Sequence, residues 1–247
     1  MNLHTGPYEV PSPVRSFPAA NLVSFTVGLK GHNFRPVNNL QDFLAASTGL
    51  QKLTFEEKIP FLPDGSRLPP IKALNLVYWD DTAETASRAW DFSVLEDLEI
   101  SWTGFRQFLK TVSPKDLGKL KRFRVDDTSW EPQRSFLEKS TFELELFTEQ
   151  LQLLLKDRHD FQELDIRCLL SLFDASLIAK QGESLRILTI LDLAGFEMEG
   201  TFPTASLGDL RIIQQSCTRI AKLDIGINII GDEVGVLLSD PPAYLVN

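Results

Sequence analysis

The feature that most constrains this chain is a short pattern that returns along it, apolar-x-x-apolar-x-apolar. It reads "LVSFTV" from Leu22, "LQKLTF" from Leu50, "IKALNL" from Ile71, "LEDLEI" from Leu95, "LKRFRV" from Leu120, "FQELDI" from Phe161, "LRILTI" from Leu185 and "IAKLDI" from Ile220. The fifth position is Thr, Thr, Asn, Glu, Arg, Asp, Thr and Asp in order, and never apolar. The copies start 28, 21, 24, 25, 41, 24 and 35 residues apart. Most of these spacings are close to what one stacked strand-plus-helix unit occupies. Side chains of a strand alternate between its two faces, so positions 1, 4 and 6 are expected in a core. Positions 3 and 5, and the residue after the stencil, are expected on the opposite face.

Most intervals carry a helical pattern. "NNLQDFLAASTG" puts Leu40, Phe43 and Leu44 on one face, with Asn38 or Asn39 as cap and Gly49 as stop. "TGFRQFLKTVSP" spaces Phe105, Phe108, Leu109 and Val112 as a helix does, and Pro114 ends it. "ELFTEQLQLLLKDRHD" carries Phe147, Leu151, Leu154 and Leu155, and "LLSLFDASLIAKQG" carries Leu170, Phe173 and Leu177 before a stop at Gly182. "SLGDLRIIQQSC" begins at Ser206 as a cap and presents Leu207, Leu210 and Ile213. The 41-residue interval is irregular, with a loop excursion and an extra strand expected from Phe142 to Leu146. Near residues 185–193 a second register, "LTILDL" from Leu188, fits as well as the first.

One clear copy has further signature residues. "SCTRIAKLDIGINIIGDEVGVLL" resembles the leucine-rich repeats of ribonuclease-inhibitor and F-box-protein type, in Cys217, Ile220, Leu223, Ile225, Asn228, Ile230, Asp232 and Gly235. Elsewhere the asparagine position holds Lys58, Trp79, Thr103, Thr128 or Leu169, so the other copies have drifted. "WDFSVLEDLEI", from Trp90 to Ile100, is similar to the divergent leucine-rich-repeat and F-box-like proteins of filamentous fungi. The resemblance covers about residues 20–238. It implies an α/β leucine-rich-repeat solenoid of about eight irregular repeats, with a parallel concave sheet and helices on the convex side. Residues 1–20 are expected as a proline-rich lead-in, 21–238 as the solenoid and 239–247 as a C-terminal tail. Pro241–Pro242 stops a further helix, so an uncapped apolar end is expected near Val236–Leu238.

Charge narrows the choice of partner. The net charge is −9, which disfavours non-specific binding to nucleic acid or an anionic membrane. Residues 1–125 hold 15 basic and 13 acidic side chains, whereas 126–247 hold 10 and 21. Arg106 to Arg124 contains seven basic residues and one acid, Asp116, which reads as a solvated face or as a patch for an acidic partner. No stretch is long and apolar enough to span a membrane, and the N-terminal residues lack the pattern of a secretory signal. Two cysteines, Cys168 and Cys217, form neither a disulfide framework nor a zinc spacing, so a cytoplasmic or nuclear location is expected.

On the concave face the stencil aligns Asp97, Arg122 and Glu163 in one row and Glu99, Arg124 and Asp165 in the next, with Arg167 beyond. Alternating signs read as cross-strand ion pairing, as a partner-binding groove, or as both. Tyr78, Trp79 and Trp102 lie just past their strands, as an aromatic anchor or as packing under the turns, while Trp90 and Trp130 are expected to pack.

A catalytic signature is missing. There is no phosphate-binding glycine loop, no H-E-x-x-H and no G-x-S-x-G, and His4, His32 and His159 are too scattered for a metal site. A Cys168–His159 nucleophile pair is the one arrangement that flanks a strand. No catalytic residue, metal or cofactor is therefore expected. The expected function is a non-catalytic protein-interaction module. A narrower reading follows from the F-box resemblance: the substrate-receptor part of a cullin-type ubiquitin ligase, lacking its F-box and binding ligase components. An enzyme, such as a hydrolase, is the contrasting class.

Overall fold

Every copy of the stencil becomes a strand, and each strand opens at the third position of its copy. A computed structural model describes residues 2–5, 18–29, 38–56, 67–77, 79, 82–126, 141–156, 158–167, 174–191 and 205–225. The chain divides into two compact units, Met1–Leu120 and Lys121–Asn247. The first contains β1 (Asn2–Thr5), β2 (Ser24–Leu29), β3 (Lys52–Phe55), β4 (Ala73–Leu76) and β5 (Asp97–Ser101), with α1 (Asn38–Ala46), α2 (Ala83–Ala89) and α3 (Trp102–Thr111). The second contains β6 (Arg122–Asp126), β7 (Glu163–Arg167), β8 (Ile187–Leu191) and β9 (Lys222–Ile225), with α4 (Thr141–Lys156), α5 (Ala175–Ala179) and α6 (Leu207–Ser216).

Within each unit the strands are parallel and follow one another in chain order. The register repeats the stencil: Ser24 faces Lys52, Lys52 faces Ala73 and Ala73 faces Asp97. In the second unit Arg122 faces Glu163, Glu163 faces Ile187 and Ile187 faces Lys222. Crossovers between parallel strands are right-handed, so steps that always advance in one direction keep their helices on one side. The helices do pack on each other in sequence, α2 on α3, α4 on α5 and α5 on α6. Each unit is thus a solenoid-like parallel α/β arrangement with helices on one face of its sheet.

Burial follows the stencil. Positions 1, 4 and 6 are buried in all copies from Leu22 to Ile190, as is Ile220. In the last copy Leu223 and Ile225 are only half-buried. Leu185, Leu188 and Ile190 are buried while Leu191 is half-exposed, which selects the register starting at Leu185.

Within each unit a main-chain fork marks the step from one copy to the next. The carbonyl at position 2 of one copy accepts the amides at positions 2 and 3 of the next. Val23 O takes Gln51 N and Lys52 N at 2.9 and 3.1 Å, and Gln162 O takes Arg186 N and Ile187 N at 2.8 and 3.1 Å. Gln51, Lys72, Lys121 and Arg186 serve their successors in the same way. A tight turn precedes most copies, in which the amide at position 1 bonds the carbonyl three residues back: Leu22 to Ala19, Leu50 to Ser47, Leu95 to Phe92, Leu120 to Leu117 and Ile220 to Cys217. Phe161 departs from this. Its amide donates to Gln181 Oε1 at 3.3 Å, while Gln181 Nε2 donates to Arg158 O at 2.9 Å and Leu177 O at 3.2 Å.

The turns explain two glycines. A Cβ on Gly49 would sit 2.8 Å from Ala20 O, so only glycine lets the turn after α1 approach the preceding one. Gly182 adopts φ +51°, the left-handed conformation that releases the chain after α5.

Several expectations change. The lead-in over 1–20 contains a strand: Leu3 of β1 lies opposite Val27 of β2. Four residues cannot display the stencil, and such a strand is recruited by the edge it joins. The extra strand from Phe142 to Leu146 is instead the first part of α4, because Glu and Leu propagate a helix readily whatever their alternation. The helix expected from Leu170 begins only at Ala175, where the Asp174 side chain caps it by accepting Ser176 N at 2.8 Å. The Ser206 cap holds and is reciprocated by Asp209, whose Oδ2 accepts Ser206 N at 2.9 Å. Of α6, Ile213 is buried and Leu207 and Leu210 are half-buried. The uncapped end near Val236–Leu238 falls outside the described residues, as do Asn228, Asp232 and Gly235.

Candidate interaction face

The face of the second unit opposite its described helices is built by positions 3 and 5 of β6 to β9 and position 7 of β7 and β8. Register sets Arg124 directly opposite Asp165. Asp165 is only 4% exposed, and both of its oxygens are engaged. Oδ1 accepts from Arg167 Nε at 2.7 Å, and Oδ2 accepts from Arg124 Nε and from an Arg167 terminal nitrogen, each at 3.2 Å. Arg124 also donates to Glu163 Oε1 at 3.2 Å. One buried carboxylate thus aligns two half-exposed guanidiniums. The half-exposed pair Arg124–Glu163 contributes about 0.2–1 kcal/mol, as pairs open to solvent do.

Of the residues expected on the concave surface, Arg124, Glu163, Asp165 and Arg167 come together. Arg122 stands on the same face at position 3 of β6, half-exposed. Asp97 and Glu99 are half-exposed at positions 3 and 5 of β5, in the first unit. The ion pairing means that charge reversal of Arg124 would set a third carboxylate beside Glu163 and Asp165, so that change is not neutral to the fold.

The row continues from Asp165 to Thr189 on β8 and Asp224 on β9. Thr189 is buried, and its hydroxyl has no hydrogen-bond partner among the described residues. An unsatisfied buried hydroxyl costs free energy that a methyl group does not. Thr189→Val is therefore expected to raise stability by about 1 kcal/mol, read as a higher urea midpoint with unchanged slope. A lower midpoint would show that the hydroxyl is in use.

The aromatic anchor is corrected at Trp79, which is 3% exposed. Its ring lies 5.0 Å from Phe108, 5.4 Å from Trp90 and 6.0 Å from Phe92, and its Nε1 donates to Thr111 Oγ1 at 2.8 Å. Four rings together bury far more apolar area than a loop-edge indole could offer a partner. Trp90 packs as expected. Trp102 opens α3, and Tyr78 and Trp130 lie outside the described residues.

Cys217 terminates α6, with its Sγ 3.4 Å from Ile178 O. Burial pushes its thiol above the ordinary range, so it stays protonated at neutral pH. Iodoacetamide is expected to spare Cys217 in the native protein and to modify it in urea, as peptide mapping would show. The raised value also fixes a sign: the stabilising contribution of this thiol is complete below the unfolded-state pKa and declines as pH rises beyond it. The pairing of Cys168 with His159 falls on a cysteine outside the described residues, and His159 Nδ1 lies 3.3 Å from Lys180 O.

The sequence did not reveal α2, whose "AETASRA" lacks an apolar stripe; its signals are the Glu84–Arg88 pair at 2.5 Å and the buried Ala86 and Ala89. With α3 it borders a pocket of about 260 Å³ that includes Trp90, Asp91, Phe92, Ser93, Thr111 and Asp116. Among the described residues no group of three or more His, Cys, Asp or Glu could hold a metal ion, and no helix is long and apolar enough to cross a membrane. Comparison with protein-family models, with curated proteins and with solved structures finds no match.

Proposed function

We propose that this chain is a divergent leucine-rich-repeat protein that works as a non-catalytic interaction module, holding a protein partner on the helix-free face of its sheet. The fork that recurs between successive strands within each unit and the burial of every first stencil position support the repeat assignment. The observation that carries the function is the Arg124–Asp165–Arg167 arrangement: two guanidiniums are oriented by a buried acid on a face that no described helix of the unit covers. Arginines held this way lose little side-chain entropy when a partner binds, and they suit carboxylate-bearing surfaces. Ile187 and Leu191, half-exposed beside them, add an apolar strip. Strand order within each unit never reverses, so neither unit has the switch-point crevice in which doubly wound α/β proteins bind small ligands. That supports a surface function over a cleft function. The reading places the protein in a reducing compartment, with the free Cys217 thiol.

Site-specific photocrosslinking tests this. Benzoylphenylalanine at Ile187 or Lys222 reports the proposed face, and the same residue at Leu153 or Ile212 reports the exposed helical side. Adducts with one partner are expected from the first pair and not from the second. Adducts from the helical positions alone would overturn the proposal.

A further inference from the structure

The pocket between α2 and α3 belongs to the first unit, whereas the proposed interaction face belongs to the second, and it has a chemistry of its own. Its lining includes the stacked pair Trp90 and Phe92, with ring centroids 5.7 Å apart and planes 6° apart. Two carboxylates, Asp91 and Asp116, stand in its lining, and among the described residues no basic side chain does. Asp91 is fixed in place, since its Oδ1 accepts the Ser93 amide at 3.0 Å. Asp116 is exposed on the short turn Pro114–Leu117 that follows α3. One group already shows what the rim attracts. The Arg67 guanidinium of this same chain reaches Asp91 Oδ2 at 3.7 Å, with its side chain 71% exposed. At that distance it is a loose and displaceable neighbour.

Ligand class follows from the lining. Two carboxylates reject anions. A quaternary ammonium has no N–H to give to Asp91, Asp116 and Ser93, and it prefers several open aromatic faces, whereas Trp90 and Phe92 are more than nine-tenths buried. A guanidinium is planar, offers five donors in a fork that matches carboxylates, and tolerates an aromatic floor. A volume of about 260 Å³ is small for a free organic ligand but adequate for one side chain. We propose that this pocket receives an arginine side chain of a protein partner, with Asp116 and Asp91 as its acceptors and Trp90 and Phe92 beneath it. This site uses residues of the first unit and the sheet face uses residues of the second, so either proposal can fail without the other.

The full chain is titrated with acetyl-Gly-Arg-Gly-amide and with its citrulline counterpart, which keeps the shape and loses the charge. Amide NMR shifts at Ser87 and Ser93 are followed. Saturable shifts are expected with the arginine peptide and binding about tenfold weaker with citrulline, as for loss of a charge-assisted contact. Asp116→Asn is expected to weaken the arginine peptide comparably while leaving the circular dichroism spectrum unchanged. Arg67→Ala is expected to tighten it several-fold, because it removes the competing guanidinium. Equal binding of the citrulline peptide, undiminished binding by Asp116→Asn, or shifts confined to other surfaces would each overturn the proposal.

Discussion

Replacing Phe108 with alanine is expected to cost about 3–5 kcal/mol, the range for removing a fully buried aromatic ring. Phe108 has no exposed surface and meets Trp79 at 5.0 Å and Phe92 at 5.4 Å, both edge-on. Removing it would leave a cavity at the centre of four rings, and α3 would lose the contact that aligns Thr111 with the Trp79 indole. Domains of this size have about 5–15 kcal/mol of stability in total, so the first unit would come close to unfolding. Urea denaturation followed by tryptophan fluorescence measures this directly, since Trp79 and Trp90 both lie in the cluster. Phe108→Leu should recover a large part of the loss. A change below about 1 kcal/mol for the alanine variant would mean that the cluster is not a packed core.

Gln181→Leu is expected to cost about 2–4 kcal/mol, because each buried group left without a partner costs about 1–3 kcal/mol. The side chain is 1% exposed and satisfies the Phe161 amide and the carbonyls of Arg158 and Leu177. Leucine fills similar space and satisfies none of them. The Phe161 amide gives a local readout: its hydrogen exchange should quicken in the variant, whereas Phe123, one strand away, keeps its protection until global unfolding. Equal protection of Phe161 in both proteins would show that another acceptor takes its amide. The copy "FQELDI" is the one that follows the 41-residue interval. The missing tight turn at its start is replaced by a side chain that comes 20 residues later.

Much of the architecture was legible because it is periodic. The stencil picks out β2 to β9 with their opening residues, since a buried strand must repeat its apolar positions whatever precedes it. Helix ends with dedicated chemistry were equally readable, as Ser206 and Gly182 illustrate. Elements without periodicity were not. β1 is too short to show a pattern, α2 has alanines in place of a stripe, and "FELEL" alternates like a strand while composed of helix formers. The face was legible as a set of positions, yet its chemistry was only half visible. Alternating signs along a row suggest pairing, but nothing in one strand says that Asp165 is buried or that it holds both Arg124 and Arg167.

Which residues face the core, and where each strand begins, can be read from residue order, because alternation is a local property of the backbone. Tertiary structure alone decided the rest: that Trp79 is packed instead of displayed, that Gln181 closes a turn 20 residues upstream, that Asp91 and Asp116 share one pocket, and that the repeats group into two units. Each depends on contacts between segments far apart in the chain, where the deciding quantity is who lies opposite whom, and no local pattern carries that information.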